Sequence, residues 1–201
     1  MDSVDPKGFP PAVRCAAATW LLVWVPAYWK TWGAVNFLRF CDVATVLTCA
    51  GFLFENELLL SSQAVGAIVV DTMWTLDVAS KFVFGRYLVG GTEYMFDPQF
   101  PLWVRLLSLF HVAMPPVLLW ALKRNGYDRR GLALQSAIAG AVFVASRFTN
   151  PSLNMNYAFR DPFFHRQWGP AAAHLVLIVA FMAIVVYVPT DFFLKRFATR
   201  T

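Results

Sequence analysis

The chain has 201 residues, 58% hydrophobic and 14% charged, with a mean hydropathy of +0.53 and a formal net charge of +5. Soluble domains carry about 25% charged residues, so the composition excludes an ordinary soluble enzyme and reads as an all-α, polytopic membrane helix bundle. The positive balance suits Lys and Arg beside membrane spans, and no basic stripe interleaved with exposed aromatics points to nucleic acid.

In chain order, residues 1–11 read as a polar, Pro-containing tail. The apolar run from Ala12 to Trp29 is only about 18 residues long and is interrupted by Pro26. It either crosses with a kink or lies at the interface with its tryptophans at headgroup level. It lacks a small-x-small cleavage site and a strongly basic leader, so no cleavable signal peptide is expected. Further spans are predicted from Phe37 to Phe54, Ser62 to Phe84, Leu102 to Leu122, Leu132 to Phe148 and Pro170 to about Phe193. The expectation is six transmembrane helices, or five if the first run is interfacial. With no repeat, linker or composition break, residues 1–201 read as one integral-membrane helical domain.

With six spans both termini share one side, together with Lys123, Arg124, Arg129, Arg130, Lys195, Arg196 and Arg200 in dense clusters beside helix ends. Positive-inside reasoning then predicts a multi-pass protein of the inner (plasma) membrane with cytoplasmic termini and two long outer loops. Cys15, Cys41 and Cys49 have no metal-ligand spacing and read as reduced packing residues.

Several ionisable residues interrupt the spans. Arg105, Ser108 and His111 recur every three residues and share a stripe, as do Arg39, Asp42, Thr45 and Cys49. At about 1.5 Å per residue, Arg39 and Asp42 lie roughly 5 and 9 Å from the outer end of their helix, Asp77 roughly 10 Å and His111 roughly 13 Å. Each unpaired charge near mid-span costs about 2.5 to 3.5 kcal/mol on insertion scales, so these groups should face one another. Pairing of Arg39 or Arg105 with Asp42 or Asp77 is expected, leaving His111 as the protonatable member. Asp71 lies on another face from Asp77 and is expected to bond locally with Thr75. Pro115 and Pro116 free backbone carbonyls beside His111, which favours a polar pocket there.

These positions predict an outward-opening pocket acting on a lipid or fatty-acyl ester. His111, Asp42, Asp77, Ser108 and Thr45 are the candidate catalytic residues, while Arg39, Arg105, Asn36, Asn154 and Asn156 are the candidate substrate-binding ones. The alternative is a non-catalytic subunit or scaffold whose buried charges are structural pins and whose aromatic loops dock a protein partner. Membrane lipids are the expected surroundings and ligands. His111 with His174 can be imagined as haem ligands, or joining Asp42 and Asp77 around a metal, but three histidines with no HxxxH or HExxH pattern predict neither metal nor cofactor. Glu93 and Asp97 lack the acidic density of a calcium loop, so a structural lid is expected there. A carrier or channel is disfavoured by the lack of repeats and of paired Gly-broken helices.

Two resemblances attach to these residues. NFLRFCDVAT, GRYLVGGTEYMFDP, SLFHVAMPP and GYDRR resemble a group of small bacterial proteins termed only "membrane-associated protein", over nearly the whole chain. More distantly, the order of elements is similar to the androgen-induced-gene family of six-helix membrane hydrolases. That resemblance implies cleavage of fatty-acid esters of hydroxy fatty acids by a threonine nucleophile and a histidine. The family's Phe-Leu-Thr-Phe-Ile-Asp segment resembles Phe37 to Asp42, and its histidine, followed five residues later by proline, matches His111 with Pro116. Where the family carries its threonine this chain has Arg39, which cannot attack a carbonyl. Either the nucleophile is then displaced to Ser108 or Thr45, or the chemistry is lost, or Arg39 and Arg105 hold an anionic group while His111 activates water.

Overall fold

The computed structural model describes residues 8–198, so the first seven residues of the polar tail and Arg200 of the basic cluster lie outside it. The described residues are helical and contain no strand. The helices are α1 (Pro11–Trp32), α2 (Phe40–Leu53), α3 (Glu57–Phe84), α4 (Leu102–Leu107), α5 (Phe110–Asn125), α6 (Gly131–Ser146), α7 (Ala171–Phe181) and α8 (Val188–Ala198). A π-helical segment, Met182–Tyr187, joins α7 to α8. Pro189 lies just beyond it and offers no N–H to the preceding turn, a local reason for the widened ladder.

Three stretches are long and apolar enough to cross a membrane: Glu57–Phe84, Leu102–Asn125 and Ala171–Ala198, of 28, 24 and 28 residues. The apolar helices α2 and α6 are shorter, at 14 and 16 residues. The first run forms a continuous 22-residue helix with Pro26 inside it. It runs the length of the bundle. At one end Arg14 lies 3.6 Å from Glu55, and at the other Trp32 packs edge-on against Tyr94.

The central element is α3, which packs against α2, α5, α6 and α8. Its ends are set by local chemistry. Asn56 caps the first turn by accepting from the Leu59 N–H at 2.9 Å, and Gly85 closes the last in the left-handed region at φ 71°. Between them Ser61, Ser62, Ala64, Gly66 and Ala67 are all buried. Apolar helices have little hydrophobic reason to associate in lipid, so such small residues contribute by letting neighbours approach closely. A Cβ on Gly66 would lie 2.3 Å from the amide nitrogen of Gln135, and one on Gly131 3.0 Å from the Ser61 backbone.

The predicted fourth span bends where the sequence places its polar stripe. Ser108, Leu109, His111 and Val112 each donate to the carbonyl three residues back, so the chain tightens between α4 and α5. Pro115 and Pro116 remain inside α5. They supply no N–H to the carbonyls of His111 and Val112, yet α5 continues through them, and the tightened turn lies just before, at the carbonyls of Arg105, Leu106, Ser108 and Leu109.

Candidate functional site: the buried Asp71–His111 pair

His111 is 3% exposed at the start of α5. The shortened turn brings the Ser108 carbonyl to 2.7 Å from its Nδ1. A carbonyl only accepts, so Nδ1 carries the hydrogen and a neutral ring keeps its lone pair on Nε2. The ring is held between Trp74, at 4.2 Å between centroids and 10° between planes, and Phe110, at 4.0 Å and 22°. Orientation and tautomer are therefore fixed by groups from α3, α4 and α5.

Nε2 faces Asp71 Oδ1 across 4.0 Å. That distance exceeds hydrogen-bond reach, and neither carboxylate oxygen of Asp71 has a hydrogen-bond partner although the residue is 0% exposed. This corrects the sequence reading, which places Asp71 outside the site. The Thr75 hydroxyl does bond locally, at 2.8 Å, but to the backbone carbonyl of Asp71, leaving the carboxylate to the core.

Asp77 has a different role. Its Oδ1 accepts the backbone N–H groups of Leu88, Val89 and Gly90 at 2.6, 2.7 and 3.1 Å, and its Oδ2 accepts the Thr92 hydroxyl. With four donors it ties the loop after α3 to the helix, and it lies apart from the His111 pair.

Asp42 is buried at the start of α2, where Asn36 Nδ2 donates to its Oδ2 and the Cys41 thiol lies 3.7 Å from its Oδ1. Arg39 is exposed at the N-terminal end of α2 rather than one turn inside, and its Nε donates to Asn36 Oδ1 at 2.9 Å. Asn36 therefore relays between Arg39 and Asp42. Arg105 donates from Nη1 to the Met95 carbonyl at 2.8 Å, with its Nε buried and unpartnered. Among the described residues neither arginine forms an ion pair with Asp42 or Asp77. The predicted pairing is replaced by one hydrogen bond from each guanidinium, to the Asn36 amide oxygen and to the Met95 carbonyl.

Both candidate nucleophiles are engaged. Ser108 Oγ is hydrogen-bonded to Tyr28 Oη at 2.6 Å, and the Thr45 hydroxyl donates to the Cys41 carbonyl at 2.9 Å. The two loop asparagines part company. Asn154 closes its own turn, accepting from Phe159 and Arg160 and donating to the Arg160 carbonyl. Asn156 clamps the start of α2, accepting from the Phe40 N–H at 3.1 Å and donating to the Leu38 carbonyl and Ser146 Oγ. Neither reaches His111.

His174 is buried with both nitrogens in use. Nδ1 accepts from the Trp168 N–H at 3.2 Å, and Nε2 donates to the Tyr157 carbonyl at 3.1 Å. It anchors the loop before α7. Among the described residues no three His, Cys, Asp or Glu side chains gather as metal ligands. Glu93 Oε1 accepts from the Gly91 N–H and Asp97 Oδ1 from the Gln99 N–H, each within its own turn.

An apolar groove of about 290 Å³ opens beside the pair, between α3, the start of α5 and the loop after α3, lined by Trp74, Val78, Phe82, Phe96, Leu109 and Val112 among others. Trp74 lines the groove and also stacks on the His111 ring. A smaller cavity on the far side of α3 is lined by Cys41, Gly66, Asp71 and Gln135. Sequence reasoning missed Asp71, Trp74, Tyr28 and Gln135. The available signal was the run Ala64, Ala67, Asp71, Trp74 at helical spacing, which continues the small-residue face of α3 into the core.

No family model, curated protein or solved structure matches the chain.

Proposed function

We propose that this is a six-span integral membrane protein that acts on a fatty-acyl ester of lipid, with His111 as general base. Six spans are supported by α1 running the full length of the bundle and by the short connections at the end holding Glu55 and Asp128. The basic residues at that end favour cytoplasmic termini in the inner (plasma) membrane. The observation that carries the chemistry is the uncommitted lone pair of an oriented, buried imidazole, next to the Asp71 carboxyl and one tryptophan away from an apolar groove.

The groove holds the acyl chain, and displacement of the Trp74 ring admits the ester to Nε2. Ser108 and Thr45 are tied elsewhere, so water is the nucleophile. Its oxygen bonds to the acyl carbon while its proton passes to Nε2. The carbon–oxygen ester bond then breaks, and the departing alkoxide takes the proton back. Arg39, held on Asn36, and Arg105, held on the Met95 carbonyl, supply positive charge for an anionic head. The resemblance of the Phe37 to Asp42 segment and of His111 with Pro116 to the androgen-induced-gene hydrolases supports the same substrate class.

The test is turnover of long-chain acyl esters by protein in lipid nanodiscs. His111→Gln should lower it at least about 100-fold, the usual scale for a general base, with an unchanged melting temperature. Ser108→Ala should retain turnover, and a fluorophosphonate should leave the protein unlabelled.

The capping of Asp77 favours a second reading, a non-catalytic subunit whose buried polar residues hold the helices in register. It predicts no turnover by the wild type and a stoichiometric protein partner after purification in mild detergent. Loss of that partner in His111→Gln would decide for it.

A further inference from the structure

Hydrogen-bond accounting around Asp71 leaves an imbalance. Both carboxylate oxygens and the Oε1 of Gln135 are buried acceptors without a donor, and the two residues, 0% and 3% exposed, line the same small cavity between α2, α3 and α6. The approach is built in, because only a glycine at position 66 lets the Gln135 amide lie against α3. A buried acceptor left unmade costs about 1 to 3 kcal/mol, and here three converge. A single hydrogen on one carboxylate oxygen turns Asp71 into a donor, gives Gln135 Oε1 a partner and leaves one acceptor of the three without a donor.

We propose that Asp71 carries an exchangeable proton that it shares with Gln135 across this cavity. The facing groups agree with that assignment. From the start of α2, Asp42 and Cys41 bring acidic groups while the Arg39 guanidinium beside them is held on Asn36, and from α5 the His111 ring turns its lone-pair nitrogen, not its N–H, toward the carboxyl. From α6 comes only the neutral Gln135, against which Tyr187 lies. The proton sits within one carboxyl rotation of Nε2. Its transfer would convert a neutral acid and a neutral imidazole into a carboxylate and an imidazolium with Nδ1–H still on the Ser108 carbonyl. Protons and charge balance with no other reactant. The assignment does not depend on the acyl-ester reading, because it concerns the ligand-free protein.

Infrared spectroscopy of protein labelled with carbon-13 at the aspartate carboxyl tests it. A protonated-carboxyl band is expected that moves on transfer to D2O, survives Asp42→Asn and disappears in Asp71→Asn. Gln135→Leu should shift its frequency by removing the acceptor, and this variant also serves if Asp71→Asn does not fold. Because an asparagine amide donates in place of the carboxyl hydrogen, Asp71→Asn should melt no lower than wild type. The proposal is overturned if the band is missing in wild type, if it persists in Asp71→Asn, or if it is unmoved in Gln135→Leu. A melting temperature that rises when Na+ replaces choline at constant ionic strength, and ceases to do so in Asp71→Asn, would also overturn it by showing a cation on a charged carboxylate.

Discussion

The indole of Trp74 lies 4.2 Å from the His111 imidazole and within 10° of parallel to it, so one side chain separates the apolar groove from the buried polar pair. Truncation to alanine should both open the groove to His111 and remove a stacking partner. Trp74→Ala is expected to lose roughly 2 to 4 kcal/mol, toward the lower end for a half-buried tryptophan. It should also admit a histidine-modifying reagent such as diethyl pyrocarbonate to a site closed in wild type. Trp74→Phe should keep the ring protected, and mass spectrometry of the modified peptide measures both.

Gly66 is the contact point between α3 and α6, where an added Cβ would meet the Gln135 amide at 2.3 to 2.9 Å. Gly66→Ala should destabilise the protein by about 1 to 3 kcal/mol through overpacking. The same substitution in a Gln135→Ala background should cost much less, because the colliding amide is gone. A double-mutant cycle on unfolding in detergent gives the coupling energy, and a value near zero would count against this packing.

Among the described residues the backbone N–H groups of Leu88, Val89 and Gly90 all donate to Asp77 Oδ1. Asp77→Ala removes all three bonds and that to Thr92, so the loop should detach before the helices do. Amide exchange at residues 88–90 should rise at least about tenfold, the change that about 1.4 kcal/mol of lost local stability would produce, with α3 protected as before.

The loop before α7 turns on Asp161. Burial works against its charge, but the N–H groups of Phe164, Arg166 and Phe163 and the Trp168 indole hold its carboxyl below the ordinary value. A carboxyl lowered in the fold contributes stability above its unfolded value, about 3.9, and loses that contribution as pH falls through the folded one. Exchange at Phe163, Phe164 and Arg166 should therefore be flat at neutral pH and accelerate in acid after correction for the intrinsic rate. Asp161→Asn should show the fast, acid-like behaviour at pH 7.

Much of the scaffold was legible in the sequence. Apolar runs longer than a bilayer core, broken by polar turns, define the helices from Glu57, Leu102 and Ala171, because backbone groups in lipid must be satisfied within each helix. Periodicity also placed His111 in the interior, since lipid cannot satisfy an imidazole. It could not choose its partner. Asp71 and Asp77 are both buried on α3, and only the folded loop shows that 88–92 claims Asp77 and leaves Asp71 to His111. Depth and rotation along an isolated helix specify a side chain's height and direction, whereas the donors that meet it belong to other segments. Arg39 failed for the same reason. Spacing made it one turn of helix from Asp42, but the chain begins α2 there and sends the guanidinium to Asn36. The sequence by itself determined that this protein is helical, with stretches long and apolar enough to cross a membrane and polar groups inside it. The tertiary structure decided which of those groups are neighbours, because hydrogen bonds and ring contacts between distant segments depend on helix packing that no local pattern encodes.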